Sequence, residues 1–488
     1  MKNLVAVYKT KKCTYPDKTG GFRPSNIYPE YPFTEVDNKT NEVYEAVRQS
    51  FYMLGLDKDR YGTSEWNPLG DVINQGDTVL IKPNLVMDVN PTGEGTECMY
   101  TQAAVVAPVI DYCLLALKGT GRIVIGDAPM QECNFENLIE EGGYRDLIDF
   151  YKNKGISIEL VDFRELKSVI EHGVHKNTFN PNVTGKVIDL AESSEFAGES
   201  YERMKRMRIT NYDPDIMLQH HTEKKNEYYI SSYVLSADVI INMPKPKCHR
   251  KAGATISLKN MVGINVRKEY LPHHTMGSVA DGGDEYQVKS RIHRLRSHLL
   301  DKKYKLEASG KYPQARILRY VIMITKLWLL LFTDKKKLYF EGSWHGNRTI
   351  CQTISDLNKI LFYADKNGIM QNSRQRKMLI IGDMLISGEH EGPVMPSRKE
   401  VGLIVCGFEP ISYDIAVSRL MGFDYHKIPA ITTALNIKGR YQISQNSENV
   451  EIVSNDERFN KISPEKILKE NTFKFIPSSG WVDHIEIS

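Results

Sequence analysis

The chain has 488 residues, of which 41% are hydrophobic and 26% are charged, and its formal net charge is +3. This composition is typical of a folded globular protein and excludes intrinsic disorder, and the small net charge gives no reason to expect nucleic acid as a partner. The seven cysteines include no CxxC pair, which excludes a disulfide framework, a zinc ribbon and an iron–sulfur cluster. The first residues lack the apolar core of a secretory signal, so we expect a cytoplasmic protein.

Strand and helix patterns alternate in the first third of the chain. Apolar runs predict strands at 77–82, 121–127 and 156–163, and helical periodicity predicts helices at 101–117 and 137–153. This alternation is typical of βαβ units with a parallel sheet, and ligands of such sheets bind beyond the carboxyl ends of the strands. Asn84 and Asp127 lie at two of those ends and are candidate substrate-binding residues, together with Lys82.

Further apolar runs predict strands at 237–242, 378–383 and 401–406. The predicted fold class is α/β, with a mostly parallel sheet and flanking helices arranged as two α/β lobes around a central cleft. The predicted organisation has four parts: an N-terminal lobe at 1–165, a β-containing excursion with a central Lys/His loop at 166–289, a basic and apolar helical insertion at 290–340, and a C-terminal lobe at 341–488.

Residues 317–332 of the insertion form an apolar run that only Arg319 and Lys326 interrupt. The run is shorter than the roughly 20 residues that a membrane-spanning helix needs. One interpretation is an interfacial helix with Tyr320 and Trp328 as anchors, which would place the cytoplasmic protein at a membrane surface as a peripheral protein. The other is a core helix or the interface of a homo-oligomer. Both interpretations remain open at this point.

The loop after the strand at 237–242 carries the densest set of functional groups. Lys245, Lys247 and His249 follow the strand, and Lys259 and Asn260 lie in a stretch of small and apolar residues. Burial lowers the pKa of a lysine and makes its amine a base or a nucleophile. We therefore predict Lys259 as a catalytic group and Lys245, Lys247 and Asn260 as substrate-binding groups. The alternative is an ordinary solvated basic loop.

Two imidazoles and several carboxylates follow within a dozen residues. His273, His274, Asp284 and Glu285 are of the ligand types that bind a divalent metal, and His274 is also a candidate catalytic group. Adjacent histidines rarely ligate one ion together, so a site without metal remains the alternative.

The C-terminal third adds two groups of candidate substrate-binding residues. Glu389 and Glu391 follow the strand at 378–383 and could orient a hydroxylated substrate, although a glycine turn with solvated acids has the same pattern. Trp344 and Asn347 combine an aromatic platform with an amide, a pairing that suits sugar recognition and a role in polysaccharide metabolism. Plain packing of the tryptophan is the alternative.

Several of these motifs together resemble one family. They are the segments 80–84, 125–127, 239–245, 248–249, 255–263, 388–393 and 409–414, and the chain resembles the family described as domain of unknown function 362. Several members of that family carry an added ferredoxin-like module. This chain lacks the cysteine pattern of such a module, so we expect no iron–sulfur cluster.

A shorter similarity concerns the central loop alone. His249, Gly253, Lys259, Gly263 and His274 resemble the cofactor loop of lactate racemase-type enzymes, which use a nickel-pincer nucleotide. The resemblance implies that His249 is an acid/base, that Lys259 attaches the cofactor and that His274 ligates nickel. The two residues before the lysine, Ser and Leu here, depart from the glycines of that family. The cofactor therefore stays open between none, a divalent metal and this nucleotide.

These observations favour an enzyme that acts on a small polar or sugar-linked metabolite through a Lys/His/carboxylate site. Isomerase or racemase chemistry is the sharpest candidate. A non-catalytic module that binds an anion or phosphate, or an oligomeric scaffold, is the contrasting hypothesis. The sequence contains no GxxxxGK[ST] and no GxGxxG after a strand, so neither ATP hydrolysis nor dinucleotide redox chemistry has motif support.

Overall fold

The computed structural model describes residues 3–17, 21–334, 338–444 and 449–487, and all structural statements refer to these residues. Within them the strands are β1 (Asn3–Lys9), β2 (Thr78–Pro83), β3 (Arg122–Asp127), β4 (Ile158–Asp162), β5 (Leu166–Glu171), β6 (Val174–Phe179), β7 (Gly185–Asp189), β8 (Met207–Arg208), β9 (His221–Thr222), β10 (Lys225–Ser231), β11 (Val239–Met243), β12 (Lys247–His249), β13 (Gly253–Thr255), β14 (His274–Thr275), β15 (Lys377–Glu391), β16 (Met395–Gly407) and β17 (Val450–Ser454).

The α-helices of the described residues alternate with these strands or connect them. They are α1 (Glu42–Met53), α2 (Ala103–Leu117), α3 (Phe135–Glu141), α4 (Tyr144–Lys152), α5 (Tyr201–Met204), α6 (Pro214–His220), α7 (Ser232–Leu235), α8 (Ser257–Asn260), α9 (Arg291–Ala308), α10 (Tyr312–Phe332), α11 (Thr349–Tyr363), α12 (Pro410–Met421) and α13 (Pro429–Asn436).

One mixed sheet forms the centre of the molecule. Its main path runs in the order β17-β1-β16-β15-β11-β2-β3-β4. The neighbours β11, β2, β3 and β4 are all parallel, as are β15 with β11 and β1 with β17, whereas β16 is antiparallel to both of its neighbours. The predicted α/β class with a mostly parallel sheet is therefore confirmed. Because β1 lies between β16 and β17, the N-terminal and C-terminal segments share this single sheet.

The central strands β2, β3 and β11 are buried almost throughout because helices cover both faces of the sheet. Along β2, Leu80 packs into the cluster that contains the inner faces of α11 and α12. Its neighbours Val79 and Ile81 pack on the opposite face with α1, α2 and α4. This alternation follows from the two-residue period of a strand.

The single helix predicted at 137–153 is two helices, α3 and α4. The break falls at Gly142 and Gly143, and Gly143 has a φ of +75°, in the left-handed region that glycine adopts without strain. A continuous helix would need right-handed backbone angles at this position, so the prediction of one helix is wrong here.

The loop after β11 folds back as a hairpin. β12 pairs antiparallel with β13, and Lys247 of β12 pairs parallel with Gly388 of the long strand β15. The segment before it contains the small strands β5 to β10. Farther along, α9 and α10 pack side by side, and no helix in the described ranges is long and apolar enough to cross a membrane.

Candidate functional site

A cavity of about 220 Å³ lies at the carboxyl ends of β2, β3 and β11. Asn84 follows β2, Asp127 ends β3, and the β12–β13 hairpin and α8 follow β11. Seven of the residues that we predicted as site residues line this cavity. They are Asn84, Asp127, Lys247, His249, Lys259, Asn260 and His273. The strand ends therefore bring together groups that lie far apart along the chain.

The floor of this cavity is a buried ion pair. Lys82 Nζ lies 2.7 Å from Asp127 Oδ1, and both side chains are almost inaccessible. The other carboxylate oxygen of Asp127 accepts the N–H of Leu85 at 2.7 Å. A Cβ atom on Gly263 would lie 1.8 Å from Asp127 Oδ1, so only glycine allows this approach. Asp127 is thus held by fixed partners and anchors the site.

Amide side chains connect this floor to the neighbouring strands. Asn260 Oδ1 accepts from Lys82 Nζ at 3.2 Å and from Asn84 Nδ2 at 2.9 Å. Asn260 Nδ2 donates to Asn242 Oδ1 at 2.8 Å, and Lys247 Nζ donates to the side-chain oxygen of Asn84. The network fixes the rotamers of both asparagines that line the cavity, because each of their polar atoms has a specific partner.

Lys259 is placed by α8, a helix of one turn. Asp414 of α12 accepts the backbone N–H of Ser257 at 2.8 Å and that of Leu258 at 3.2 Å. These bonds satisfy two N–H groups that the start of a helix otherwise leaves without partners. The carboxylate of Asp414 therefore positions the helix that carries Lys259.

The amine of Lys259 makes no hydrogen bond or ion pair within the described residues, although it borders the cavity. Burial is the main cause that lowers its pKa to about 8; the nearby cations of Lys82 and Lys251 lower it further, and Asp127 opposes them. At neutral pH such an amine is mostly protonated, yet it can lose its proton at small cost. It thus has the properties of a general acid.

Three further lysines of the cavity have lowered pKa values, and burial holds the pKa of Lys247 well below its usual value. Burial lowers the pKa of Lys251 to about 8 and that of Lys268 to about 7. Lys251 Nζ donates to Thr210 Oγ1 at 3.2 Å, and Lys268 Nζ donates to the carbonyl of Ala128 at 2.8 Å. Neither has a carboxylate within ion-pair distance among the described residues. With Lys247, Lys259 and Arg250 they make the cavity wall strongly electropositive.

The two histidines of the cavity carry their protons on different nitrogens. His249 Nδ1 accepts the N–H groups of Lys251 and Ala252, both at 3.1 Å, so its proton is on Nε2. His273 Nδ1 lies 2.8 Å from the carbonyl of Leu271, so this nitrogen carries the proton and Nε2 keeps a lone pair. Burial, followed by the nearby lysine charges, holds the pKa of each imidazole well below its usual value. The cavity therefore has one neutral imidazole donor and one acceptor.

The four predicted metal ligands do not converge. Asp284 accepts the N–H of Thr349 at 2.9 Å and caps α11, and Glu285 accepts from the hydroxyl of Ser297 at 2.6 Å. His274 and Glu285 line a separate small cavity, where His274 Nδ1 is buried without a partner among the described residues. The described ranges contain no group of three or more His, Cys, Asp or Glu side chains that could hold a metal ion. Their placement thus gives the metal prediction no support.

The nickel-pincer interpretation requires His274 to lie near Lys259. The cavity of Lys259 is lined by His273, not by His274. These residues therefore do not fit the cofactor in the roles that the loop resemblance implied.

The predicted acidic pair of the C-terminal third has a different place. Glu389 accepts the N–H of Ile476 at 3.0 Å and lies 3.1 Å from Lys399 Nζ, and Glu391 accepts the N–H of Ser479 at 2.7 Å. Both carboxylates tie the C-terminal segment to β15, and neither lines the cavity.

Trp344, Asn347 and Lys245 are also buried away from the cavity. Trp344 Nε1 donates to the carbonyl of Asp284 at 2.9 Å, and Asn347 Nδ2 donates to that of His273 at 2.9 Å. Lys245 Nζ lies 3.0 Å from Asp383 Oδ2, and it also donates to the Tyr15 hydroxyl at 2.6 Å. The alternative of plain packing holds for the tryptophan, while Asn347 supports the segment that carries His273.

Comparison with known proteins identifies the family. The model of the family described as domain of unknown function (DUF362) matches residues 79–192 and 177–419. A relative in Synechocystis sp., named thylakoid-associated protein sll1697, is 25% identical over 195 residues, which are 40% of this chain and 41% of that protein. The chain thus spans less than half of the length of that relative. No solved structure matches this chain. The chain belongs to the family of domain of unknown function 362, as its motifs indicated.

Proposed function

We propose that this protein is an isomerase-type enzyme that moves a proton at a carbon atom of a small anionic metabolite. The observation that carries the proposal is the pair of neutral imidazoles with opposite tautomers, His249 and His273, on one cavity with Lys259. A proton acceptor, a neutral hydrogen-bond donor and an amine with a pKa of about 8 are the groups that such chemistry needs.

The size and charge of the cavity define the substrate class. A volume of about 220 Å³ is below the range of pockets for drug-sized ligands and suits a small metabolite. The wall carries Lys247, Arg250, Lys251, Lys259 and Lys268, which favour a carboxylate or a phosphate group. We therefore expect an anionic hydroxy acid or a sugar acid or phosphate.

The proposed reaction begins with His273. Its Nε2 lone pair takes the proton from a carbon next to a carboxylate or carbonyl, and the C–H electron pair moves onto that group as an enolate. The Nε2–H of His249 donates a hydrogen bond to the enolate oxygen, where negative charge develops. The ammonium of Lys259 returns a proton to carbon, which leaves imidazolium on His273 and a neutral amine on Lys259. Exchange of one proton with solvent at each group restores the starting state.

The test is exchange of carbon-bound hydrogen in D₂O, followed by proton NMR over a panel of small hydroxy acids, sugar acids and sugar phosphates. We expect loss of a substrate C–H signal with the native protein. Lys259→Arg keeps the charge but removes the titratable amine, and His273→Gln removes the acceptor, so each should lower exchange by roughly 100-fold or more. Wild-type rates in both variants would contradict the proposed roles.

A non-catalytic anion-binding module is the alternative that the basic wall favours. The same panel examined by titration calorimetry separates the two. Binding of an anion without exchange of any of its carbon-bound hydrogens would support the binding module and overturn the enzyme.

We further propose that this chemistry takes place at a membrane surface. The printed name of the cyanobacterial relative associates that protein with thylakoids. Helix α10 of this chain, with its exposed apolar side chains, supports a similar setting here.

A further inference from the structure

Helix α10 exposes an unusually apolar surface. Among its 21 residues only Ala315, Ile322, Thr325 and Leu329 are buried. Large hydrophobic side chains are exposed around most of the remaining circumference, and they are Ile317, Tyr320, Val321, Met323, Ile324, Leu327, Trp328, Leu330, Leu331 and Phe332. Isolated exposed apolar residues are common on proteins, but a contiguous set of this size marks an interaction surface.

The charge around this surface is one-sided. Residues 291–334 contain ten Lys and Arg against three Asp and Glu. Four of these cations, all on α9, pair with acids of the protein. Lys311, Arg316, Arg319 and Lys326, which lie at the start of α10 or within it, form no ion pair among the described residues. The surface therefore combines an apolar face with a basic surround, and both features match a bilayer that contains anionic lipid.

A second copy of the chain fits this surface less well. A symmetric contact would bring the basic α9–α10 segments of two copies together, and the repulsion between their positive charges costs free energy. The apolar face is also wider than the narrow seam by which two helices form a coiled coil.

We infer that α10 lies in the plane of an anionic membrane, with its exposed apolar face among the acyl chains and its basic neighbours at the headgroups. This inference deepens the membrane-surface part of the proposed function and names the lipid class and the docking face. Tyr320 and Trp328 lie on that face, where aromatic side chains with a polar edge suit the boundary between headgroups and acyl chains.

Trp328 provides an internal reporter of this contact. It is 44% exposed, whereas Trp66, Trp344 and Trp481 are at most 4% exposed, and these four are all the tryptophans of the chain. With vesicles of phosphatidylcholine and phosphatidylglycerol, the full-length protein should cosediment and its emission should shift to shorter wavelength. Brominated acyl chains should quench this emission, and Trp328→Phe should abolish the shift without preventing sedimentation.

A triple variant, I324Q/L327Q/L331Q, removes apolar area from the centre of the face. It should weaken vesicle binding by more than about tenfold, because several apolar side chains no longer enter the acyl region. The matched control is I27Q/I369Q, which changes side chains that are 80% and 60% exposed elsewhere on the protein and should bind normally. Circular dichroism checks that each variant is folded.

Three results would overturn the inference. They are no sedimentation with anionic vesicles, equal binding to phosphatidylcholine alone, and a dimer in light scattering that the triple variant dissociates, which would assign the face to a second copy. The hydrogen-exchange assay uses soluble compounds without vesicles, so failure of lipid binding leaves the enzymatic proposal intact and is distinguishable from its failure.

Discussion

Gly263→Ala tests whether the floor of the cavity is as tightly built as the structure indicates. The added Cβ would lie 1.8 Å from Asp127 Oδ1 and 2.9 Å from Lys82 Nζ, both far inside contact distance. The methyl group fits only if the backbone shifts or the ion pair separates. Separation leaves each buried charge without its counter-charge, a change that costs about 3–5 kcal/mol in other proteins, and overpacking alone costs about 1–3 kcal/mol. We therefore expect the free energy of unfolding to fall by about 3–5 kcal/mol.

The assay is urea denaturation followed by tryptophan fluorescence and circular dichroism in parallel. Gly407→Ala is the matched control, because Gly407 is a buried glycine of the central sheet, and a Cβ there would meet its nearest atom at an ordinary 3.4 Å. The control should change the stability by less than about 1 kcal/mol. If Gly263→Ala were equally mild, the close approach to the Lys82–Asp127 pair would not be a constraint on the fold, and the reasoning would be refuted.

Three more predictions concern Lys259 and its support. Lys259→Met should stabilise the protein at pH 7 by about 1–3 kcal/mol in urea denaturation, because a buried cation without a counter-charge is replaced by an apolar chain of similar length; a destabilised variant would contradict this. Burial lowers the pKa of Lys259 from 10.5 to about 8. Between these two pH values the unfolded chain binds more protons than the folded chain, so the free energy of unfolding should rise with pH. The hydrogen-exchange rate should fall above about pH 8, because Lys259 then loses the proton that it donates. Asp414→Ala leaves two N–H groups of α8 without their acceptor and should cost about 1–3 kcal/mol, with a larger loss of exchange rate than of anion affinity.

The strands were predictable because they are buried on both faces. A strand of this kind is a short continuous apolar run, and β2, β3 and β11 lie within two residues of their predicted bounds. Asn84 and Asp127 could be assigned to one site for the same reason, since the carboxyl ends of parallel neighbours meet at one edge. Where one strand and its end determine the position of a residue, the apolar pattern of the sequence predicts that position directly.

The sequence does not show which of the adjacent residues His273 and His274 faces the cavity. In extended backbone, neighbouring side chains point to opposite sides, so His273 and His274 cannot both face one cavity. This two-residue alternation of side chains already argues against a metal site shared by both histidines. The packing of the segment against β8 then decides which imidazole faces the cavity of Lys259. Lys268 was missed because nothing local distinguishes it from a surface lysine.

The position of the acidic pair Glu389 and Glu391 depends on how far a strand extends. The predicted strand ended at residue 383, yet β15 continues through Gly388 to Glu391. A Cβ at this position would lie 2.7 Å from the Pro396 side chain of the paired strand, so the glycine serves close packing. A glycine in a strand and a glycine in a turn have the same local sequence signal, and the partner strand that separates the two cases is remote in the chain.

The charge balance of the cavity bears on the choice between enzyme and scaffold. The five basic side chains of the wall have no ion-pair partner among the described residues, while Asp127, one of the two acids that line it, is already paired with Lys82. Burial of unpaired charge costs free energy in the empty protein, and a scaffold would gain nothing from that cost. An anionic ligand supplies the missing counter-charge and raises the pKa of the lysines around it and of His273. His273, the proposed proton acceptor, is therefore more basic in the complex than in the free protein. The basic wall therefore favours a site for an anionic ligand over a scaffold, and the exchange of carbon-bound hydrogen separates an enzyme from a binding module.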